Sequence, residues 1–143
     1  MTFFDKRIDD STVNKTAQVG ACSVEQDGDI LIVRWVDLPS LAELQQVYEV
    51  LEQLAIATGH HRVLFDLTRV DPRPQTAEVR RYATEWWTRH ADRLVLASYG
   101  MGWTVRVLME LTLRAVSIFA KRTARASFWA TEQEAREWLR AQP

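Results

Sequence analysis

The chain has 143 residues and a formal net charge of −1, with 47% hydrophobic and 26% charged residues. This composition predicts a soluble globular protein that is large enough to bury a core, and it argues against a wholly disordered chain. The single cysteine, Cys22, excludes a disulfide within the chain and favours a reducing compartment, the cytoplasm.

Residues 1–17 are polar apart from Phe3 and Phe4, and they are predicted to form an amino-terminal arm before one domain over residues 18–143. The first residues show no apolar run behind a basic region, so no signal peptide is expected. Residues 1–60 carry a charge of −6 and residues 61–143 carry +5. The basic half would suit an acidic partner, although folding mixes the halves and favours a mixed-charge surface. No nucleic-acid-binding module is recognised, so nucleic acid is not an expected partner.

Two strands are predicted first, joined by a two-residue turn at Asp27-Gly28. The first strand runs near residues 19–26, and Cys22 within it is interpreted as a small buried hydrophobe. The second, over residues 30–36, is apolar almost throughout, which predicts burial on both faces. A helix follows, because Ser40 and Glu43 form a capping box before an apolar stripe, and Gly59 ends it.

A buried strand at Val63 to Leu67 is the predicted centre of the sheet, since helical patterns lie on both sides of it. Asp66, Thr68 and Asp71 come at and beyond its carboxyl end, where open α/β sheets place ligands. These residues, with Thr76 beyond Pro72 and Pro74, are the candidate partner-binding site. The structural alternative is that Asp71 caps the next helix and Asp66 accepts backbone hydrogen bonds.

The third helix, predicted from Trp103 to Lys121 after a second helix at 75–90 and a strand at 93–99, is apolar almost all round. Such a helix must be buried against more than its own sheet. A homodimer packed helix on helix, an apolar ligand pocket between the second and third helices, and a cover formed by Phe3 and Phe4 each explain it. Three charges within the helix argue against a membrane span. The candidate pocket or interface residues are Tyr82, Trp86, Trp87, Trp103, Val105, Met109, Val116 and Phe119.

A short strand at residues 126–129 and a helix opened by Thr131 and Glu134 complete the pattern. Strands that alternate with helices predict an α/β fold, with a single open mixed sheet of about five strands and about four helices. Most of the sheet is expected to be parallel, after an initial antiparallel hairpin.

This pattern resembles the STAS family, in its SpoIIAA-like branch of anti-sigma-factor antagonist-like domains. The hairpin at 23–36, the segment Val63-Leu64-Phe65-Asp66-Leu67-Thr68-Arg69-Val70, the strand at 94–99 and the closing segment from Phe128 to Leu139 carry the resemblance. It implies a non-enzymatic regulatory domain that binds a protein partner. Regulatory members carry Asp-Ser after the central strand, and that serine is phosphorylated; here Asp71-Pro72 departs from the pattern, which implies a module without that switch. The SpoIIAA-like branch also resembles lipid-binding CRAL-TRIO domains in layout, which admits a small apolar ligand.

Other site patterns are incomplete. Gly100-Met101-Gly102 precedes a helix but lacks the third glycine and the Lys-Ser/Thr ending of phosphate-binding loops. His60 and His61 are adjacent, so in a strand they would point to opposite faces, which places them poorly to share a metal. No cofactor or metal is therefore expected. Without a Gly-x-Ser-x-Gly turn, a hydrolase is the weakest of the functional alternatives.

Overall fold

A computed structural model describes residues 16–37, 39–71, 75–120 and 125–143. Its strands are β1 (Thr16–Val19), β2 (Cys22–Asp27), β3 (Ile30–Val36), β4 (Arg62–Arg69), β5 (Val95–Tyr99) and β6 (Ala126–Trp129). Its helices are α1 (Leu41–Thr58), α2 (Ala77–His90), α3 (Trp103–Ala120) and α4 (Glu132–Arg140).

The six strands form one sheet in the order β1 to β6. The pairs β1–β2 and β2–β3 are antiparallel, and the three pairs from β3 to β6 are parallel. Helices connect the parallel strands, because parallel neighbours need a crossover. The predicted α/β class, the single mixed sheet and its largely parallel character are confirmed.

The sheet has one more strand than the sequence pattern predicted. The chain turns at Gly20 and Ala21, so that Val19 pairs with Cys22 and the predicted strand at 19–26 is divided between β1 and β2. Thr16 and Ala17, which were assigned to the arm, lie in β1; residues 1–15 lie outside the described residues. The next hairpin is confirmed with its turn moved by one residue, because Asp27 pairs with Ile30.

Helix boundaries follow the local capping signals. Ser40 accepts a hydrogen bond from the Glu43 N–H and Glu43 accepts one from the Ser40 N–H, so the capping box at α1 is confirmed. Gly59 ends α1 in the left-handed conformation, at φ 74°. Thr131 accepts from the Glu134 N–H at α4, but the return contact comes from its own hydroxyl to the Glu134 carboxylate. Pro72 and Pro74, which precede Thr76 in the sequence, lie outside the described residues.

The sheet separates two cores of unequal size. Leu31 and Val33 of β3 belong to the core beneath α1, α2 and α3, whereas Ile30 and Ile32 belong to the core beneath α4. The apolar run of β3 is therefore buried on both faces, as its composition predicted. Cys22 is buried in the larger core; burial raises the pKa of its thiol, which accepts a hydrogen bond from the Val36 N–H at 3.4 Å.

Helix α3 packs mainly against α2. Val105 and Val116 are its buried residues. Its opposite side presents large apolar side chains to solvent. The extra apolar residues that the sequence places on this helix are therefore not covered by the described part of the chain. Within that part, no helix combines the length and the hydropathy needed to cross a membrane.

Candidate functional site

Near the carboxyl end of β4, both carboxylate oxygens of Asp66 accept hydrogen bonds. One carboxylate oxygen accepts hydrogen bonds from the Thr68 N–H at 3.0 Å and from the Thr68 hydroxyl at 2.7 Å. The other accepts from the Arg34 guanidinium at 2.9 Å. The register between β3 and β4 shifts beyond Arg34, next to the pair of Asp66 and Thr68. The structural alternative, in which Asp66 accepts a backbone hydrogen bond, is therefore what the structure shows.

Arg34 extends this arrangement into a network across the sheet. Its guanidinium also bonds Glu25 at 2.7 Å and the Tyr99 hydroxyl at 3.3 Å. The Tyr99 hydroxyl donates to Glu132 at 2.9 Å, which joins the sheet to α4. The row sets one guanidinium among three carboxylates, and its hydrogen bonds fix α4 on the sheet.

Thr76, another candidate partner-binding residue, lies at the start of α2. Thr76 is the N-cap of α2, where its hydroxyl accepts from the Val79 N–H at 3.3 Å. Capping thus falls to Thr76 and not to Asp71, which is half-buried just beyond β4. In the described residues no hydrogen bond joins Thr76 to Asp66 or Thr68. Thr76 is therefore not joined by a hydrogen bond to the Asp66–Thr68 pair.

Trp86 and Trp87, both candidates for a pocket or an interface, are buried between α1 and α2. The Trp87 indole N–H donates to the Tyr48 hydroxyl at 3.1 Å, and the Trp86 ring stacks on Tyr48 with centroids 4.6 Å apart. Tyr82, half-buried, also stacks on Tyr48, with ring centroids 6.2 Å apart. These rings fix α1 against α2, and the buried tryptophans are not accessible to a partner.

His90 joins the same two helices and was not singled out by the sequence. Its Nδ1 lies 2.7 Å from the Trp86 carbonyl oxygen, and its Nε2 lies 3.1 Å from the Glu52 carboxylate. The ring also stacks on Trp86 at 3.9 Å. His90 follows Trp86 by four residues in the last turn of α2, and this spacing was the only local signal of their contact. The second partner, Glu52, is distant in sequence.

An apolar pocket of about 90 Å³ lies between the sheet, α1, α2 and α3. A cavity of about 150 Å³ holds benzene, so this pocket admits a molecule of only a few heavy atoms. Its lining includes three of the candidate residues, Trp87, Val105 and Met109. The remaining lining is mostly apolar and includes Trp35, Tyr48, Phe65 and Leu113.

A second, open depression of about 940 Å³ runs along the outer surface between α2 and α3. We call it the α2–α3 groove. Arginines of α2 form one wall and apolar residues of α3 form the other. The residues that define it are Arg80, Arg81, Arg89, Leu108, Leu111 and Phe119.

The solvent side of α3 carries an apolar row, the α3 stripe, which consists of Trp103, Val107, Leu111 and Ile118. The spacing of four, four and seven residues places them on one side of the helix. Trp103 is 79% exposed, Leu111 54% and Ile118 72%, and Phe119 beside them is 68% exposed. Val116 has no exposed surface. The candidate residues on α3 thus divide between the core, the small pocket and this surface.

The chain was compared with known families, curated proteins and solved structures. No known family's sequence profile matches the chain, and no curated protein matches it. An uncharacterized protein of the DUF3478 family from Shewanella loihica PV-4, described as having a SpoIIAA-like fold, matches with a TM-score of 0.58. The match has 20% identity and covers 83% of this chain and 92% of that one. The fold is SpoIIAA-like. The NMR structure of the protein TM1081 matches with a TM-score of 0.60 at 12% identity, over 83% of this chain and 88% of that one.

The SpoIIAA-like fold confirms what the sequence resemblance implied for the architecture. At 12% and 20% identity the likeness extends to the fold alone. The function must therefore be argued from this chain's own residues.

Proposed function

We propose that this SpoIIAA-like chain is a non-enzymatic protein-interaction domain that docks through the α3 stripe. The observation that carries the proposal is the exposure of the stripe, in particular of Trp103 and Ile118 at its two ends. Large apolar side chains that cluster on one exposed side of a helix are uncommon on proteins that act alone, and tryptophan is enriched among residues that dominate binding energy. The exposed Arg114 lies between Leu111 and Ile118 and leaves the rest of the stripe apolar. The stripe is therefore better explained by a protein partner than by chance exposure.

The polar residues at the sheet support a non-catalytic role. Asp66, Arg34 and Tyr99 are committed to one another and to neighbouring side chains. In the described ranges no group of three metal-binding side chains converges. Pro72 occupies the sequence position of the phosphorylated serine in regulatory STAS domains, so the proposal includes no phosphorylation switch at that position.

A second copy of the chain is the first partner to test. In an antiparallel two-fold pairing of α3 helices, Trp103 of one copy lies opposite Ile118 of the other, because the two residues stand at the ends of the stripe. Such a contact uses the same patch on both copies and closes into a dimer. The stripe spans about 22 Å at 1.5 Å per helical residue, which gives room for an extended helix–helix contact.

The test is solution mass by light scattering on wild type and two matched variants. Wild type is expected to be a dimer, and Ile118→Glu a monomer with unchanged circular dichroism. Ile56→Glu changes an equally exposed isoleucine, 71% exposed on α1, and is expected to remain a dimer. A wild type that is monomeric at every concentration would contradict self-association through the stripe.

The pocket of about 90 Å³ favours one alternative function, the sensing of a small apolar ligand. Val105 and Met109 make α3 one wall of this pocket, so a ligand there would contact the helix that carries the stripe. Native mass spectrometry of the purified protein tests the alternative. A bound small molecule that is lost in Met109→Trp, where the larger ring fills the pocket, would support it.

A further inference from the structure

The apolar wall of the α2–α3 groove has the periodicity of a helix-binding surface. Leu108, Leu111, Ala115 and Phe119 line it at spacings of three, four and four residues. They cover about 16 Å of α3 at 1.5 Å per residue, which corresponds to about three helical turns. A groove of this length between two helices matches the shape of a third helix, since partner helices present anchors at the same spacing.

The opposite wall of the groove is basic. Arg80, Arg81 and Arg89 of α2 line it, together with a single acid, Glu85. In the described part of the chain Arg81 and Arg89 form no ion pair, and Arg80 donates to the Gln75 carbonyl oxygen. All three arginines are exposed. The wall therefore has an excess of two positive charges beside an apolar surface.

We propose that the α2–α3 groove binds an acidic amphipathic helix of a partner protein. The apolar side of that helix contacts Leu108, Leu111 and Phe119, and its Asp and Glu carboxylates face Arg81 and Arg89. Arginine forms bidentate hydrogen bonds to carboxylates. These bonds select an acidic partner and also fix the register in which it binds. The proposal rests on the proposed function as a protein-interaction domain, but it concerns a different side of α3 that shares only Leu111 with the stripe.

The charge pattern favours this occupant over two others. A second copy of α3 would bring Arg106 and Arg114 with only one acid, Glu110, toward a wall that is already basic. A lipid surface would fit a convex face with cations on both sides of the apolar residues, whereas these arginines line one wall of a concave groove. An acidic helix alone satisfies both walls.

Three synthetic helical peptides test the proposal by fluorescence anisotropy with the full chain. They share one leucine-rich face and differ only in a polar face of Glu, Gln or Lys. The Glu peptide is expected to bind at least tenfold more tightly than the Gln peptide, and the Lys peptide least tightly. Added NaCl is expected to weaken the Glu complex, because it screens exposed charge pairs.

Two variants assign the binding to the groove. Arg81→Glu with Arg89→Glu is expected to reverse the order, so that the Lys peptide binds best. Arg140→Glu changes an exposed arginine on α4, on the other side of the sheet, and is expected to leave the original order unchanged.

Several results would overturn the proposal. Equal affinity for the three peptides, or no binding of any, would show that the groove does not select acidic helices. Binding to vesicles of phosphatidylcholine and phosphatidylglycerol that the arginine variant abolishes, without peptide binding, would assign the groove to a membrane. Peptide binding that appears only in a Phe3→Ser/Phe4→Ser variant would assign it to the chain's own amino-terminal segment.

The result is separable from the dimer test. If Ile118→Glu dissociates a wild-type dimer while no peptide binds, this inference fails and the docking stripe stands. If the Glu peptide binds a monomeric wild type, the self-association proposal fails and the groove stands.

Discussion

At the scale of single residues, Gly100 lets the ends of β4 and β5 approach each other. Its φ is +80°, and a Cβ there would meet the Thr68 side chain and lie 3.2 Å from the Thr68 backbone nitrogen. Gly100→Ala combines this clash with a left-handed conformation that disfavours a side chain, so a loss of about 2 kcal/mol or more is expected. Urea denaturation measures it. Gly102→Ala, where a Cβ meets nothing within 4 Å, should change the stability by less than about 0.5 kcal/mol.

Asp66 is the residue whose environment predicts a pH dependence. Burial raises its pKa, but hydrogen bonds from the Thr68 hydroxyl and N–H and from Arg34 outweigh burial and hold the pKa below its ordinary value. A depressed folded-state pKa stabilises the protein above the unfolded value of about 3.9, and this stabilisation is lost as pH falls through the folded value.

The corresponding variant is Asp66→Asn. Near neutral pH it is expected to have a lower free energy of unfolding than wild type. The difference should shrink as the pH falls below the unfolded value of about 3.9 and through the lower folded value. Urea midpoints across the acid range measure both curves. Thr68→Ala removes one hydrogen-bond donor to Asp66. It should therefore reduce the stability that the protein loses in acid, but by less than Asp66→Asn does. Parallel curves for wild type and Asp66→Asn would contradict the assignment.

At the scale of elements, the contact between α1 and α2 depends on the buried pair of Tyr48 and Trp87. Trp87→Phe and Tyr48→Phe each leave a buried polar group without its partner, so each is expected to cost about 1–3 kcal/mol. The double variant should cost less than the sum, because it leaves neither group unpaired. A double-mutant cycle by urea denaturation measures this coupling. Strict additivity would show that the hydrogen bond contributes nothing beyond ring packing.

The sequence predicts those elements whose signals are local. Ser40 with Glu43 and the left-handed Gly59 define α1 because a cap depends only on neighbouring residues. The four-residue strand β1 was missed, since Thr16 to Val19 is too short and mixed to show a strand period. In α3 the apolar residues extend nearly all round, so periodicity could not tell buried Val116 from exposed Ile118.

The candidate site was predictable in part for the same reason. The pairing of Asp66 with Thr68 is local to β4, whereas Arg34, the other residue that donates to Asp66, comes from the neighbouring strand. The small pocket depends on how closely α3 approaches the sheet, which no spacing in the sequence specifies. The contact of His90 with Glu52 likewise depends on how α1 and α2 pack.

At the scale of the whole molecule, the two faces of the sheet are protected unequally. Three helices cover the larger core, and the nine-residue α4 covers the smaller one, which includes Ile30, Ile32 and Leu64. Leu139 of α4 has no exposed surface and packs in this smaller core, so it anchors the short helix to the sheet. The side of the molecule with α3 has spare apolar surface, while the side with α4 depends on a few residues.

Two leucine-to-alanine changes should therefore have opposite effects. Leu139→Ala opens a cavity in the smaller core and is expected to cost about 2–5 kcal/mol by urea denaturation, with little effect on binding of the acidic peptide by the folded fraction. Leu111→Ala, at a leucine that is 54% exposed, should cost less than about 1 kcal/mol yet weaken that binding. If Leu111→Ala instead destabilised the chain as much as Leu139→Ala, Leu111 would belong to the folded core, and the apolar surface around it would need no partner.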